Sequence, residues 1–282
     1  MSDASSDFET VISGLAFPEG PRWFDGSLWF SDMHDNRVVR WTPGGTAETV
    51  VTLDDDCPSG LGFLPDGRLL VAAMHARKVL RLDEDGLAVH ADLSDVATWH
   101  INDMLVDPAG RAYVGNFGDG TAPPEPITPA HLAVVEPDGS VGIAASDLEL
   151  PNGMVLLDGG RTLAVAETRA LPPRITAFDV ASDGSLSGRR TLITLSSELP
   201  DGMTSDADDN IWFASPFTNE LIRVSPDGAV TARIHCSRPP YACVLGGPDL
   251  GTLYVCVSDT WVPEVAREQH TGAILSIEVT GR

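Results

Sequence analysis

The chain has 282 residues, a hydrophobic share of 43% and a formal charge of -23 with a single lysine, Lys78. Such a charge repels nucleic acid and anionic membrane surfaces, so neither is expected as a partner. No stretch approaches the roughly 18 apolar residues of a membrane span, and the opening MSDASSDFET lacks the charge and apolar run of a signal peptide.

A soluble, cytoplasmic protein is therefore expected, with dispersed acids forming a solvated surface. Its 27 glycines and 21 prolines are spread along the chain, which suits many short strands joined by tight turns. Cys57, Cys236, Cys243 and Cys256 form no C-x-x-C pair. Cys243 and Cys256 stand in apolar runs and read as small core residues.

In chain order, Phe8–Ile12 is an orphan strand. The first repeat follows as PEGPRWFDGSLWFSDMHDNRVVRWTPGG, and the second, from Pro58, is the clearest: PSG, LGFL, PDG, RLLVAA, MHA, RKVLRL, DEDG, LAVHA. The third is INDMLVDPAGRAYVGNF, an insertion over about 118–130, and HLAVVEPDG. The fourth opens PNGMVLLDGGRTLAVAET, the fifth PDGMTSDADDNIWFAS and the sixth YACVLGGPDLGTLYVCVSD, with a second insertion over 260–271. Only Val265–Gln269 could form a turn of helix.

Starts near residues 18, 58, 101, 151, 200 and 241 give a spacing of about 40–50, the period of four-stranded propeller blades. The fold class is thus all-β: one six-bladed β-propeller domain over residues 1–282, with four antiparallel strands per blade. A β-sandwich would not need six copies of one unit. The sixth unit has only three convincing strands, so the N-terminal strand is expected to complete it and leave no open edge.

The middle residue of each opening tripeptide is Glu19, Ser59, Asn102, Asn152, Asp201 and Ala242. Each tripeptide precedes the first, innermost strand of its blade, so these side chains should converge at the mouth of the central channel. Taken alone, Asn152-Gly153 or Asp201-Gly202 reads as a turn dipeptide, as Asp66-Gly67, Asp138-Gly139 and Asp227-Gly228 do inside blades. Glu19 argues otherwise, because glutamate is not a preferred turn residue. Oxygen donors at one register, two of them acids, would repel each other without a cation. Hard oxygens select Ca²⁺, Mg²⁺ or Mn²⁺, and the set also admits Zn²⁺ or Fe²⁺.

The segments GLAFPEGPRW, ND followed by VDPAGRAYVGN, PNGMVL and PDGMTSDADDNIWFAS, in this order and spacing, resemble the SMP-30/gluconolactonase/luciferin-regenerating-enzyme family over nearly the whole chain. The resemblance implies a six-bladed propeller that hydrolyses lactones with one divalent metal ion, Ca²⁺ foremost. Glu19, Asn152 and Asp201 match the metal ligands, and Asp201 also matches the general base. Asn102 and Asp103 match the substrate-side pair, Asn102 touching the metal directly or through water. In the related fold of diisopropyl-fluorophosphatase, Glu, Asn, Asn and Asp ligate calcium, and this chain offers the same four types.

Sugar-lactone hydrolases of the family commonly carry an arginine two residues before the Asn-Asp pair. Here that residue is His100, so a less polar lactone is expected, with His100, Asn102 and Asp103 on the substrate. Asp201, Asp103 or His100 would be the base. No G-x-S-x-G elbow occurs, which disfavours a covalent nucleophile. His34 and His75 begin loops on the same rim. The insertions, one proline-rich (Pro123, Pro124, Pro126, Pro129) and one bearing Trp261, are candidate specificity elements. Two rival functions use the same scaffold: a phosphotriesterase or fluorophosphatase, and a non-catalytic binding propeller.

Overall fold

Alternation within the strands settles the architecture. In Leu69–Ala73, Leu69, Val71 and Ala73 face one apolar cluster while Leu70 and Ala72 face another. In Ile211–Ser215, Ile211 and Phe213 likewise face one way and Trp212 and Ala214 the other. A strand apolar on both faces must lie in a sheet covered on both sides.

The computed structural model describes residues 8–121, 125 and 127–279. It has six four-stranded antiparallel sheets set around a ring. Blade 1 holds Pro18–Phe24, Ser27–Asp32, Arg37–Trp41 and Glu48–Thr52, and blade 2 holds Pro58–Phe63, Leu69–Ala73, Lys78–Asp83 and Gly86–Asp92. Blade 3 holds Ile101–Val106, Ala112–Asn116, Ala130–Val135 and Val141–Leu148, and blade 4 holds Pro151–Leu157, Thr162–Glu167, Arg174–Val180 and Leu186–Thr194. Blade 5 holds Met203–Ser205, Ile211–Ser215, Glu220–Val224 and Val230–His235. Blade 6 holds Pro240–Gly246, Thr252–Val257 and Gly272–Glu278, and Glu9–Leu15 is its outer strand.

The expected closure is present, and the N-terminal strand runs three residues further than its apolar pattern indicated. Glu9 pairs with Ser276, Ile12 with Ile274 and Leu15 with Gly272. Each blade-to-blade interface holds its own apolar cluster. The one that shuts the ring packs Leu28, Phe30 and Val39 of blade 1 against Val244, Tyr254, Cys256 and Ile274 of blade 6. Cys243 and Cys256 are core residues, and all four cysteines are free thiols.

The three hairpin turns behave as expected. Gly67, Gly139 and Gly228 have φ of 88°, 88° and 85°, where a side chain would be strained. The expected helical turn is a helix, α1, over Pro263–Gln269. Pro123, Pro124 and Pro126 of the proline-rich insertion lie outside the described residues. No helix among the described residues is long and apolar enough to cross a membrane.

Deleting residues 1–15 would strip blade 6 of its outer strand and bare the edge of Gly272–Glu278. Each kcal/mol lost lowers the melting midpoint by roughly 2–4 °C in a chain of this size, so a fall of about 10 °C or outright aggregation is expected. A truncated protein that melts with the full chain, followed by circular dichroism, would place the closure elsewhere.

Candidate axial site

The tripeptides do not precede the innermost strands, as the turn-like sequences suggested; most lie inside them, at a bulge. Pairing with the second strand slips between Glu19 and Arg22, Pro58 and Leu61, Ile101 and Met104, Pro151 and Met154, and Pro240 and Ala242. In blade 5 the regular strand begins only at Met203. Even so, Asp201 N donates to Ala214 O at 3.0 Å and Ala214 N donates to Gly202 O at 3.1 Å, so the tripeptide still rides on the second strand. A bulge breaks the strict alternation and re-aims side chains.

Glycine follows four of the six axial residues, Glu19, Ser59, Asn152 and Asp201, and at these places it serves close packing rather than a turn. A Cβ on Gly153 would lie 2.3 Å from Asp201 O, on Gly60 2.4 Å from Met104 N, on Gly20 2.6 Å from Ser59 O, and on Gly202 2.4 Å from the Ala242 Cβ. Each would strike the next blade. Neighbouring inner strands thus touch backbone to backbone around the axis, and the residues beside these glycines are drawn into one ring.

Side chains distant in sequence meet there. Asn152 Nδ2 donates to Asp201 Oδ1 at 2.5 Å and to Thr168 Oγ1 at 3.1 Å, and Thr168 Oγ1 donates to Pro200 O at 2.6 Å. Thr168 therefore ties blade 4 to the entry of blade 5. Ser59 Oγ donates to Asn102 Oδ1 at 3.3 Å. Glu19 Oε2 accepts from Gly20 N at 2.7 Å. Burial pushes the Glu19 carboxyl far above its usual range, and the Asp201 charge adds to it. Burial raises Asp201 to about 7; the Asp103 charge adds to the rise, and the Asn152 hydrogen bond opposes it.

Asp103 is held differently. Its Oδ1 accepts from Arg22 at 2.8 Å and from Met104 N at 2.8 Å, and Arg22 also donates to Met104 O. Arg22 thus reaches from blade 1 past blade 2 to blade 3. It was missed in the sequence; the available signal was a guanidinium in an inner strand beside the axial Glu19.

Among the described residues no three His, Cys, Asp or Glu side chains form a metal-holding group. A cation here would instead be held by the Glu19 and Asp201 carboxylates with the amide oxygens of Asn152 and Asn102. The donor set fits a hard divalent ion: two half-buried carboxylates sit at one register, and the one neighbouring guanidinium already bonds Asp103. A partly buried carboxylate pair without a counter-charge is costly.

The rim above carries the expected histidines. His100 stacks on Trp99 at 4.8 Å and meets His75 edge-on at 4.5 Å. Burial, with His75 nearby, lowers its pKa, favouring neutral imidazole. His75 Nδ1 lies 3.1 Å from Asp56 Oδ1. His34 Nε2 donates to Trp261 O at 3.2 Å, and Arg267 of α1 donates to His34 O at 2.8 Å, clamping the second insertion over blade 1. Asp32 Oδ1 accepts from Ala16 N and Phe17 N at 2.9 and 3.0 Å, which fixes the chain just before Glu19.

Six radial sheets around an oxygen-rich axial cluster define a six-bladed β-propeller. Residues 17–259 match the model of the SMP-30/gluconolactonase/LRE-like region, and the chain belongs to that family. It is 29% identical over 256 residues to the pentonolactonase XacC of Haloferax volcanii, covering 87% of this chain and 82% of that protein. It is 27% identical over 278 residues to rabbit (Oryctolagus cuniculus) regucalcin, covering 93% and 91%. Among solved structures, a luciferin-regenerating enzyme superposes with a TM-score of 0.82 at 20% identity, over 98% of this chain and 96% of that one. The gluconolactonase XC5397 of Xanthomonas campestris gives 0.78 at 22% identity, over 98% and 90%.

The close approach of inner strands is testable. Gly153→Ala should cost about 2 kcal/mol or more by overpacking, whereas Gly142→Ala, whose Cβ would meet only Val134 Cγ1 at 3.4 Å, should be near neutral. Urea unfolding of the two variants checks this; equal midpoints would mean that blade 4 is not packed as described.

Proposed function

We propose that the axial site opens a lactone ring by metal-assisted attack of water. One observation carries the reading: Glu19, Asn152 and Asp201, far apart in sequence, are set at one register around the axis, and Asn152 bonds Asp201 directly. Kinship supports it. A relative is a pentonolactonase, a structural neighbour is a gluconolactonase, and a regucalcin from Agrobacterium tumefaciens with the same fold is a calcium-binding protein.

In this reading Glu19, Asn152 and Asp201 hold one divalent ion, Ca²⁺ foremost, with Asn102 beside it. Such an ion supplies charge to stabilise a developing oxyanion and acidify water. Asp201 accepts the proton of the attacking water, the role that its match to the family's general base implies. The water oxygen bonds to the carbonyl carbon, the ring C–O bond breaks, the leaving ring oxygen takes the proton held by Asp201, and the hydroxy acid formed ionises to its carboxylate with release of one proton. Asn102 and His100 orient the substrate. Asp103, already bonded to Arg22 and Met104 N, acts as a fixed negative charge beneath them.

A thiol nucleophile is disfavoured. Burial raises the pKa of all four cysteines, Cys236 to about 12, so none is a ready thiolate.

Calorimetry on chelator-treated protein titrated separately with Ca²⁺, Mg²⁺, Mn²⁺, Zn²⁺ and Fe²⁺ tests the ligands. Glu19→Gln, Asn152→Ala and Asp201→Asn should each weaken binding by about tenfold or more. Each should also forfeit the thermal stabilisation, about 2.7 kcal/mol at a hundredfold excess over Kd, that the cation gives the parent. Hydrolysis of a lactone panel should fall in step. If the three variants bind cation and melt like the parent, the axial reading is wrong.

A further inference from the structure

An apolar cluster borders the site. Phe17, Met33, Cys57, Met74 and Tyr241 form one buried cluster, with Phe117 packed against it. Phe17 and Cys57 stand two residues before Glu19 and Ser59, and Tyr241 stands one before Ala242. Met33, Met74 and Phe117 each follow the end of a second strand. The cluster therefore borders the axial ring from blades 1, 2, 3 and 6.

From this cluster, two ring contacts, one backbone hydrogen bond and a further ring contact lead outward. Tyr241 adjoins the axial residues: its carbonyl oxygen accepts from the N–H of Gly202, the residue after Asp201, at 2.9 Å. Its ring centroid lies 4.7 Å from Phe17, and Phe17 lies 5.1 Å from His34. His34 bonds Trp261 O, and the Trp261 ring lies 5.9 Å from Phe217. Trp261 and Phe217 end the trail at the surface, 58% and 63% exposed.

The guanidinium groups around these rings are already engaged. Arg37 bonds Asp32, Arg169 donates to Thr121 O and Glu125 O, Arg238 bonds Asp259, and Arg267 donates to His34 O. A guanidinium already bonded is a poor partner for substrate hydroxyls. Two large exposed rings, tied through His34 to the apolar cluster beside the axial residues, instead mark a place for an apolar ligand group.

We infer that the substrate is a lactone whose ring carries an apolar chain, seated along Tyr241, Phe17, Trp261 and Phe217 while the carbonyl meets the axial residues. This rests on the lactone-opening reading, and the test separates the two. Rates are measured on γ-butyrolactone, γ-hexalactone, γ-octalactone and γ-decalactone, with glucono-δ-lactone for comparison. Binding of the non-hydrolysed 5-alkyl-2-pyrrolidinones of the same chain lengths is measured by calorimetry.

Burial of the chain should raise kcat/KM and tighten lactam Kd by about tenfold for every two methylenes. The Trp261→Ala/Phe217→Ala double variant should cut the last increments to about twofold or less. Ile143→Thr, at an exposed site on the outer strand of blade 3, should leave the series as in the parent. Lactones opened without regard to chain length, or glucono-δ-lactone preferred over γ-decalactone, would overturn the inference and leave lactone opening standing. Lactams that bind with the expected increments while no lactone is opened would keep the apolar seat and sink the hydrolytic reading. Neither binding nor turnover would sink both.

Discussion

Everything at the axis depends on a closed ring, and the ring is closed by the pairing of Glu9–Leu15 with Gly272–Glu278. An open arc of blades would have two exposed sheet edges and two uncovered apolar faces. Closure covers both faces of every blade, which is why so many inner and second strands read as continuous apolar runs. It also fixes the radius at which the six inner strands meet. That radius is small enough for Gly20, Gly60, Gly153 and Gly202 to have no room for a side chain.

The small radius creates an electrostatic problem as well. Polar residues at the bulges are brought together, partly shielded from water, and the Asp201 charge raises the cost of ionising Glu19. The chain relieves part of this with Arg22, which pairs with Asp103, and part with the Asn152 amide, which donates to Asp201. What remains uncompensated is negative and lined with oxygen, the condition under which a cation contributes most. Phe17, Met33, Met74 and Tyr241 form an apolar cluster that borders this polar one, with His34 packed on Phe17.

The fold was legible in the sequence to a fine grain: six repeats, their starts, the three hairpin glycines, the helix in the second insertion and the N-terminal strand. The reason is local. Strand alternation and turn glycines are set by neighbours a few residues away. The axial residues were legible as a register, because equivalent positions of a repeat take equivalent places in a ring.

How those positions become a site was not legible. PNG and PDG suit a turn, and nothing within them tells a turn from a bulge; that difference lies in the partner strand and the next blade. The Arg22–Asp103 bond spans 81 residues, and the trail from Tyr241 through Phe17 to Trp261 joins blade 6, blade 1 and an insertion. Such contacts depend on the distance between blades, which ring closure sets and no segment encodes alone. The sequence by itself determined the repeat, the strands and which oxygen-bearing residues share a register. Only the tertiary structure decided that Asp103 would be bonded to a guanidinium while Glu19 and Asp201 were not, because the choice turns on which side chains the closed ring brings within hydrogen-bond reach.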